Sequence, residues 1–439
     1  METIKIIDLL TGKTTYKYYT KYKETQWFNR DEMIKYQISK LRKLIHHCYV
    51  NVPYYTNIMK ERKINPKAVE SMNYIQQFPI LTKEIIKENY ELFIPINSNN
   101  IKEIKTSPTG GTTGSILNKR NDANTRSSIW GSYRRFYDWM GITPGDMILT
   151  YWGGHIRKPN YREHFKNLLS NKLRNTISFN AYDTCPNTID LIIKCLKSGK
   201  IKLIQSYPQA LYTLALQLRE RGNSFKIKAI MTTSEPLMPQ HRELFREVFN
   251  CEAYDQYGCG EIGGIAYECE AHNGLHITEE RVYLEINENN ELLITDLDNF
   301  AMPFIRYYNG DQAEFASEDC LCGRKSKVMK RILGRTCDYL LCRNGQSLHW
   351  AYFWHLLFDT EIALKRNFKK FQIVQKSEDF LLFRYVGDKL TKLDEGILLR
   401  MIREKMGDIK IDFIKEDDIE CSISGKYRPV INELIINNY

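Results

Sequence analysis

The chain has 439 residues, which is more than one ordinary hydrophobic core and predicts two or three domains. Its hydrophobic fraction is 43% and its formal net charge is +10, a soluble globular composition whose surplus charge suits anionic partners. The sequence contains no run of eighteen apolar residues and its N-terminus is polar, so we expect neither a membrane span nor a signal peptide. Eleven scattered cysteines predict a cytoplasmic protein with reduced thiols rather than a disulfide framework.

The first predicted elements are helices. Apolar residues recur at steps of three and four between Ile38 and Cys48, which indicates one face of a helix that Pro53 interrupts. A further helix is predicted in FPILTKEIIKENYELFI, with Thr82 as its N-cap. Together these patterns predict a helical segment over about residues 25–95.

The next stretch, TSPTGGTTGS at 106–115, concentrates glycines and small hydroxyls. Glycine permits turns whose backbone N–H groups form an anion-binding nest, and Ser and Thr add hydroxyl donors. The stretch is not the usual P-loop, because Ser115 and Ile116 follow Gly114 where that loop has Lys and Ser or Thr. A phosphate-binding loop and a plain flexible linker both fit these residues.

Between about 120 and 260, strand and helix patterns alternate. Strands are predicted in DMILTYW, IKLIQSY, IKAIMTT and CEAYDQYG, and helices in NTIDLIIKCLKSG, QALYTLALQLRERG and PQHRELFREVF. This alternation predicts an α/β domain with a largely parallel sheet. After residue 280, VYLEINENNELLITDL predicts an antiparallel hairpin around 287–290. The last hundred residues mix strands and helices and predict a small α+β domain.

Five further motifs follow the Gly/Ser/Thr loop in order. They are TTSEPL at 232–237, YDQYGCGEIGG at 254–264, YYNGD at 307–311, GRTCDYL at 334–340 and SGKYR at 424–428. In this order they resemble the adenylate-forming superfamily of acyl-CoA synthetases and ligases. The strongest likeness is to its phenylacetate–CoA ligase-like branch, which includes CapK-type proteins, and it covers nearly the whole chain.

The resemblance implies a two-domain architecture and a nucleotide site. A large N-terminal α/β adenylation domain spans 1–337, and a small mobile α+β domain spans 338–439, with Asp338 as the hinge. The loop would hold the β- and γ-phosphates of ATP. The nucleotide-binding residues implied are Thr109, Gly110, Gly111, Thr112, Thr113, Gly114, Ser234, Glu235, Pro236, Asp255, Gln256, Tyr257, Asp311 and Arg335.

Individual roles follow from the same motifs. Asp255 and Tyr257 match adenine contacts, and Asp311 matches the carboxylate that binds the ribose. Glu261 matches the magnesium ligand, an oxygen donor suited to a hard cation. Lys426 matches the lysine that neutralises negative charge when a carboxylate attacks the α-phosphate. Taken singly, each residue also fits an ordinary surface or turn position. Many relatives carry a lysine directly after the loop, where this chain has serine.

A separate set of metal-binding side chains lies at 269–322. CEAHNGLH contains Cys269, His272 and His276, and CLCGR contains Cys320 and Cys322. Thiolates with an imidazole form a tetrahedral zinc site, although the paired cysteines are one residue apart rather than two. Free thiols around a hairpin are the alternative. The resemblance implies a structural zinc at Cys269, His276, Cys320 and Cys322, and the residues alone leave the choice between His272 and His276 open.

The predicted activity is ATP-dependent formation of an acyl-adenylate from a small carboxylic acid, followed by transfer to a nucleophile. Coenzyme A is the favoured acceptor. The alternatives are an amide ligase that uses an amino sugar or amino acid, and a non-catalytic zinc-bearing binding protein. Trp152, His155 and Tyr207 are candidates for the acid pocket. No basic-aromatic stripe or known module predicts nucleic-acid binding, and the oligomeric state is left open.

Overall fold

A computed structural model of the chain describes residues 5, 8–9, 11–108, 117–152, 175–181, 185–335, 339–341, 347–349, 353, 356, 366, 368–420 and 428–436. The chain divides into two compact units. The first consists of Met1–Gly111, Ile116–Asn309 and Ala313–Ile332, and the second of Thr112–Ser115, Gly310–Gln312 and Leu333–Tyr439. The predicted domain boundary after residue 337 lies outside the described residues and stays a prediction.

Helices form the N-terminal part of the first unit. Helices α1 (Thr15–Thr25), α2 (Arg30–Asn51), α3 (Pro53–Glu61) and α4 (Lys83–Glu88) follow in order. The predicted Thr82 cap is confirmed, since its side chain accepts the N–H of Ile85. The predicted helix is shorter than expected, because α4 ends at Glu88 and Tyr90–Phe93 forms a 3₁₀ turn.

Two short strands flank the Gly/Ser/Thr loop. β1 (Lys105–Pro108) and β2 (Asn118–Asn121) pair in antiparallel fashion, so the chain returns alongside itself after residue 116. The loop residues themselves, 109–116, lie outside the described residues.

A sheet of eleven strands, counted over the described residues, is the centre of the first unit. Its parallel part contains β3 (Met147–Trp152), β4 (Thr176–Asn180), β5 (Ile201–Ser206), β6 (Ala229–Thr233) and β7 (Ala253–Tyr257), in the spatial order β4-β3-β5-β6-β7. The predicted parallel strands are therefore confirmed.

The sheet continues past β7 with strands that sequence reasoning mostly missed. These are β8 (Ala266–Glu268), β9 (Leu275–Ile277), β10 (Val282–Ile286), β11 (Glu291–Asp296), β12 (Tyr307–Phe315) and β13 (Val328–Arg335). β8 pairs with β7 and β9 in antiparallel fashion. The predicted hairpin is confirmed as the antiparallel pair β10 and β11. The sheet is thus mixed rather than largely parallel.

Helices cover both faces of the parallel part. α6 (Pro186–Lys197), α7 (Pro208–Glu220) and α8 (Pro239–Phe249) contribute to one apolar core, and α5 (Ala123–Trp139) contributes to another. The neighbouring β5 residues Leu203 and Ile204 belong to different cores, as the alternation of side chains along a strand requires. This layering leaves the carboxyl ends of the parallel strands as the natural binding edge.

The second unit contains its own small sheet. The strands β16 (Phe368–Ser377), β17 (Phe380–Gly387), β18 (Lys410–Lys415) and β19 (Val430–Asn432) lie in the order β18-β17-β16-β19. Two shorter strands, β14 (Tyr339–Leu341) and β15 (Ser347–His349), pair separately, and the helices are α9 (Lys392–Met406) and α10 (Glu433–Ile436). This composition matches the predicted α+β class. Within the described residues, no helix has the length and apolarity to cross a membrane.

Candidate active site

The turn after β6 carries the residues predicted for one wall of the nucleotide site. Ser234 has a left-handed backbone conformation with a φ of 72°, which turns the chain as the strand ends. The Glu235 carboxylate accepts a hydrogen bond of 3.1 Å from the N–H of Gln209, at the start of α7. This bond ties the segment Ser234, Glu235 and Pro236 to the helix that follows β5, so the turn lies at the carboxyl ends of two strands.

Asp255 lies on β7 and is fixed by its neighbours. Its Oδ1 accepts hydrogen bonds from the Thr232 hydroxyl at 3.1 Å and from the Gln256 N–H at 2.9 Å. The Asp255 N–H donates to the Glu268 carboxylate at 2.7 Å. Burial and the negative charge of Glu268 raise the pKa of Asp255 to about 7. The side chain is therefore held in one place, as an acceptor for a ligand amine must be.

Gln256 and Tyr257 complete β7 and both have protein partners. Gln256 Oε1 accepts from the Tyr133 hydroxyl at 3.0 Å, and its Nε2 donates to the Thr233 hydroxyl. The Tyr257 hydroxyl accepts from Asn309 Nδ2 at 2.8 Å. Both side chains are largely buried.

Glu261 forms an ion pair with one lysine and interacts electrostatically with a second. Lys83 Nζ is 3.5 Å from Glu261 Oε1, and the exposed fractions of the two side chains are 14% and 9%. Lys119, on β2, interacts electrostatically with Glu261, and burial lowers the pKa of Lys119 while Cys259 and Glu261 oppose that shift. A carboxylate in this setting fits the donor type that Mg²⁺ prefers, and the cations around it suit phosphate oxygens.

The glycine-rich loop around Glu261 depends on one close approach. Gly264 has a φ of 66°, and a Cβ there would lie 2.7 Å from the Ser132 hydroxyl oxygen and 2.8 Å from the Tyr267 hydroxyl oxygen. The Cys259 N–H donates to the Ile262 carbonyl at 3.0 Å, which closes a turn around Glu261. The motif therefore positions its acid through backbone geometry as well as through side chains.

For the other predicted site residues the structure gives only a position in the fold, or none. Asp311 is a buried residue within β12, and Arg335 is the last residue of β13. The hinge residue Asp338, the catalytic candidate Lys426 and the pocket candidate His155 lie outside the described residues, as do Thr109, Gly110, Gly111, Thr112, Thr113 and Gly114.

Two of the proposed acid-pocket residues are neighbours. The rings of Trp152, at the end of β3, and Tyr207, directly after β5, have centroids 4.4 Å apart. Tyr207 is buried, and Trp152 is partly exposed. The carboxyl ends of these two adjacent parallel strands therefore carry an aromatic pair.

The predicted metal ligands come together in the first unit. The ligand atoms of Cys269, His276, Cys320 and Cys322 all lie within 4.8 Å of one another. The Sγ atoms of Cys269 and Cys320 are 3.6 Å apart, and Cys322 Sγ is 3.2 Å from His276 Nε2. Three sulfurs and one imidazole nitrogen at these separations fit a tetrahedral zinc site without an open position.

The geometry favours His276 over His272 in this cluster. Burial lowers the pKa of His276 to about 4, so its imidazole is neutral at physiological pH. Its Nδ1 lies 2.8 Å from the Ser326 hydroxyl, which leaves Nε2 directed at Cys322. His272 instead places Nδ1 3.2 Å from the Glu268 carboxylate.

Glu268 is a central residue that sequence reasoning missed. It is buried, it directly precedes Cys269, and it accepts from Arg242 Nη2 at 2.8 and 3.0 Å as well as from the Asp255 N–H. An acidic residue closing the otherwise apolar strand β8 was the available signal. Lys83 was also missed, although a lysine at the first position of a helix opposes the usual preference for acidic residues there.

Comparisons with known proteins agree with the predicted family. No protein-family model matches the chain. The chain is similar to the phenylacetate–coenzyme A ligase of Thermus thermophilus, with 22% identity over 93% of this chain and 98% of that protein. It is also similar to the phenylacetate–coenzyme A ligase of Pseudomonas putida, with 23% identity over 84% of this chain and 82% of that protein.

A solved structure has the same fold. A 2-hydroxyisobutyryl-CoA ligase in the postadenylation state matches with a TM-score of 0.72 and 16% identity, over 94% of this chain and 93% of that one. The ordered motifs, the two-unit fold and the two matches to curated ligases point the same way. The chain is therefore similar to phenylacetate–CoA ligases over most of its length, and it shares the fold of a solved CoA ligase.

Proposed function

We propose that the chain is an AMP-forming acid–thiol ligase, which activates a carboxylic acid as its adenylate and transfers the acyl group to coenzyme A. The observation that supports this most strongly is the placement of two separate motifs at adjacent strands: Glu235 follows β6, Glu261 follows β7, and Asp255 on β7 accepts from Thr232 on β6. The match to a phenylacetate–coenzyme A ligase over 98% of that protein adds to it.

Two half-reactions follow from this assignment. In the first, a carboxylate oxygen of the acid bonds to the α-phosphorus of ATP, and the bond to the bridging oxygen breaks as pyrophosphate leaves. In the second, the coenzyme A sulfur bonds to the acyl carbon, the thiol proton is lost, and AMP leaves with the electron pair of the broken bond. The products are acyl-CoA, AMP and pyrophosphate.

Each residue has a role in binding or catalysis that suits its side chain. Asp255 accepts from the adenine amine, Tyr257 lies beside the ring, and Asp311 binds the ribose hydroxyls. Glu261 would hold Mg²⁺, which when bound neutralises phosphate charge. Lys426 stabilises the charge that gathers on the α-phosphate during attack.

The second half-reaction needs a different arrangement around the same acyl group. Lys426 is required while the adenylate forms, and a nucleophile must then reach the acyl carbon. A change of backbone conformation at Asp338 supplies both states, as the family resemblance implies.

We also propose that Cys269, His276, Cys320 and Cys322 hold a structural Zn²⁺. Their ligand atoms lie within 4.8 Å of one another, and the four atoms complete a coordination shell. The ion would connect the loop after β8, strand β9 and the segment before β13, which are separate in sequence.

Pyrophosphate exchange over a panel of aryl and aliphatic acids tests the adenylation step. Labelled pyrophosphate should enter ATP only with Mg²⁺ and a suitable acid. Lys426→Ala should lower this exchange by about 10²–10³-fold, since it removes a transition-state charge. The matched variant Lys415→Ala, at an exposed lysine on β18, should exchange at the wild-type rate. Wild-type exchange by Lys426→Ala would contradict the role of this lysine.

A further inference from the structure

The ion pair between Lys83 and Glu261 has features that a simple structural pair does not require. Lys83 is the first residue of α4, and hydrogen bonds fix the backbone of the two residues before it. The Leu81 N–H donates to the Arg306 carbonyl at 3.0 Å, the Tyr308 N–H donates to the Leu81 carbonyl at 2.8 Å, and Thr82 caps the helix. With an exposed fraction of 14%, Lys83 Nζ is held close to the Glu261 carboxylate rather than moving freely in solvent.

The pair also has other charged groups in its surroundings. Lys119, on β2, interacts electrostatically with Glu261 and with Asp296. A lysine held at a partly buried carboxylate can pair with a bound anion once a metal ion takes up the carboxylate.

The sequence offers a reason for a cation at this place. The Gly/Ser/Thr loop TSPTGGTTGS at 106–115 contains no Lys or Arg. A phosphate site still needs positive charge, because the β- and γ-phosphates and the released pyrophosphate are strongly anionic. Lys83 lies 3.5 Å from the predicted magnesium ligand and is therefore next to the oxygens that the metal attracts.

We propose that Lys83 is a phosphate-binding residue, which pairs with Glu261 in the free protein and with the β- and γ-phosphates of ATP or with pyrophosphate in the loaded protein. This inference rests on the proposed function, because it takes Glu261 as the magnesium ligand. It assigns to an N-terminal helix the charge that the loop does not carry.

Calorimetric affinities measure this role directly. Lys83→Met should weaken binding of magnesium pyrophosphate and Mg·ATP by roughly ten- to hundredfold, since a hydrogen bond to a charged group is lost. AMP lacks the β- and γ-phosphates, so its affinity should not change. Lys83→Arg, which keeps the charge, should recover most of the loss. The matched variant Lys87→Met, at an exposed lysine of the same helix, should bind all three ligands as the wild type does.

The outcomes separate the possible explanations. Unchanged affinity of Lys83→Met for magnesium pyrophosphate would overturn the proposal. An equal loss of AMP affinity, together with a lower melting temperature, would also overturn it, because Lys83 would then only support the fold. Wild-type protein that binds none of the three ligands would contradict the proposed function and this inference together. Wild-type protein that binds ATP while Lys83→Met binds it equally well would overturn this inference alone.

Discussion

The nucleotide edge and the thiol–imidazole cluster lie on the two sides of strand β8 and differ in their chemistry. On the β7 side, Asp255 and Glu261 present carboxylate oxygens, and Glu261 forms an ion pair with Lys83. On the β9 side, three sulfurs and one nitrogen form a closed set within 4.8 Å. Tyr267 pairs with Gln256 on one side and with His276 on the other, so one three-residue strand joins the two regions.

This difference indicates separate roles for neighbouring groups. Oxygen ligands with nearby cations suit phosphate and a hard metal ion, and substrates must enter and leave there. Thiolates and an imidazole with no position left over suit Zn²⁺ and leave no place for a substrate. We therefore expect the first region to control the rate of the reaction and the second to control stability.

The largest expected effect concerns Glu261. Glu261→Gln removes the charge that holds Mg²⁺ and leaves Lys83 without its partner. Pyrophosphate exchange should fall by about 10²–10³-fold, which is typical for the loss of a group that stabilises developing charge.

The same variant should keep its zinc and melt close to the wild-type temperature. Metal analysis and thermal unfolding of the purified protein provide these controls. Exchange at the wild-type rate would show that Glu261 does not bind the metal of the reaction.

The second effect concerns the cluster. The purified protein should contain about one zinc ion per chain, and a double Cys320→Ser and Cys322→Ser variant should lose it. Loss of the zinc ion removes several kcal/mol from the free energy of unfolding, and each 1 kcal/mol lowers the melting temperature of a large domain by about 2–4 °C. The melting temperature should therefore fall by on the order of 10 °C.

Cys185→Ser is the matched control, since Cys185 is an exposed cysteine outside the cluster. It should retain zinc and the wild-type melting temperature. A double variant with normal stability, or wild-type protein that is free of zinc after purification without chelator, would contradict the structural role.

The smallest effect concerns Glu268, which accepts from the Asp255 N–H and directly precedes Cys269 in the chain. Glu268→Gln keeps the shape of the side chain and removes the charge that faces Arg242. ATP affinity should fall by roughly threefold to tenfold, since the support of Asp255 weakens by about 1 kcal/mol. Zinc content should stay the same.

Glu252→Gln is the control for a surface pair, because Glu252 and Arg246 have exposed fractions of 41% and 50%. Exposed pairs contribute little, so this variant should bind ATP normally. If Glu268→Gln binds ATP as tightly as the wild type, the two regions are not coupled through this carboxylate.

The local patterns predicted most of the parallel half of the sheet. Alternating strand and helix signals located β3, β5, β6 and β7, and the Thr82 cap was correct to the residue. These features are set by residues that lie close together in the sequence. β8 and β9 have only three residues each and carry too short a pattern to detect, so the mixed character of the sheet was not predicted.

The candidate site, too, could be predicted only in part from local sequence patterns. The four metal ligands could be named from the family resemblance, but the choice of His276 over His272 depends on how β8 and β9 pair. Lys83 and Glu261 are 178 residues apart in sequence, and Leu81 reaches its place through a bridge to Tyr307. No local pattern predicts such contacts, because the long-range packing of the chain creates them.

The transfer step tests the central claim most directly. The purified protein is mixed with Mg·ATP, the best acid from the exchange panel and coenzyme A, and the products are identified by mass. The account predicts acyl-CoA and AMP in equal amounts, with both products absent when ATP or the acid is left out. Acyl-adenylate that persists in coenzyme A but is consumed by an amine would contradict the account and would identify an amide ligase instead.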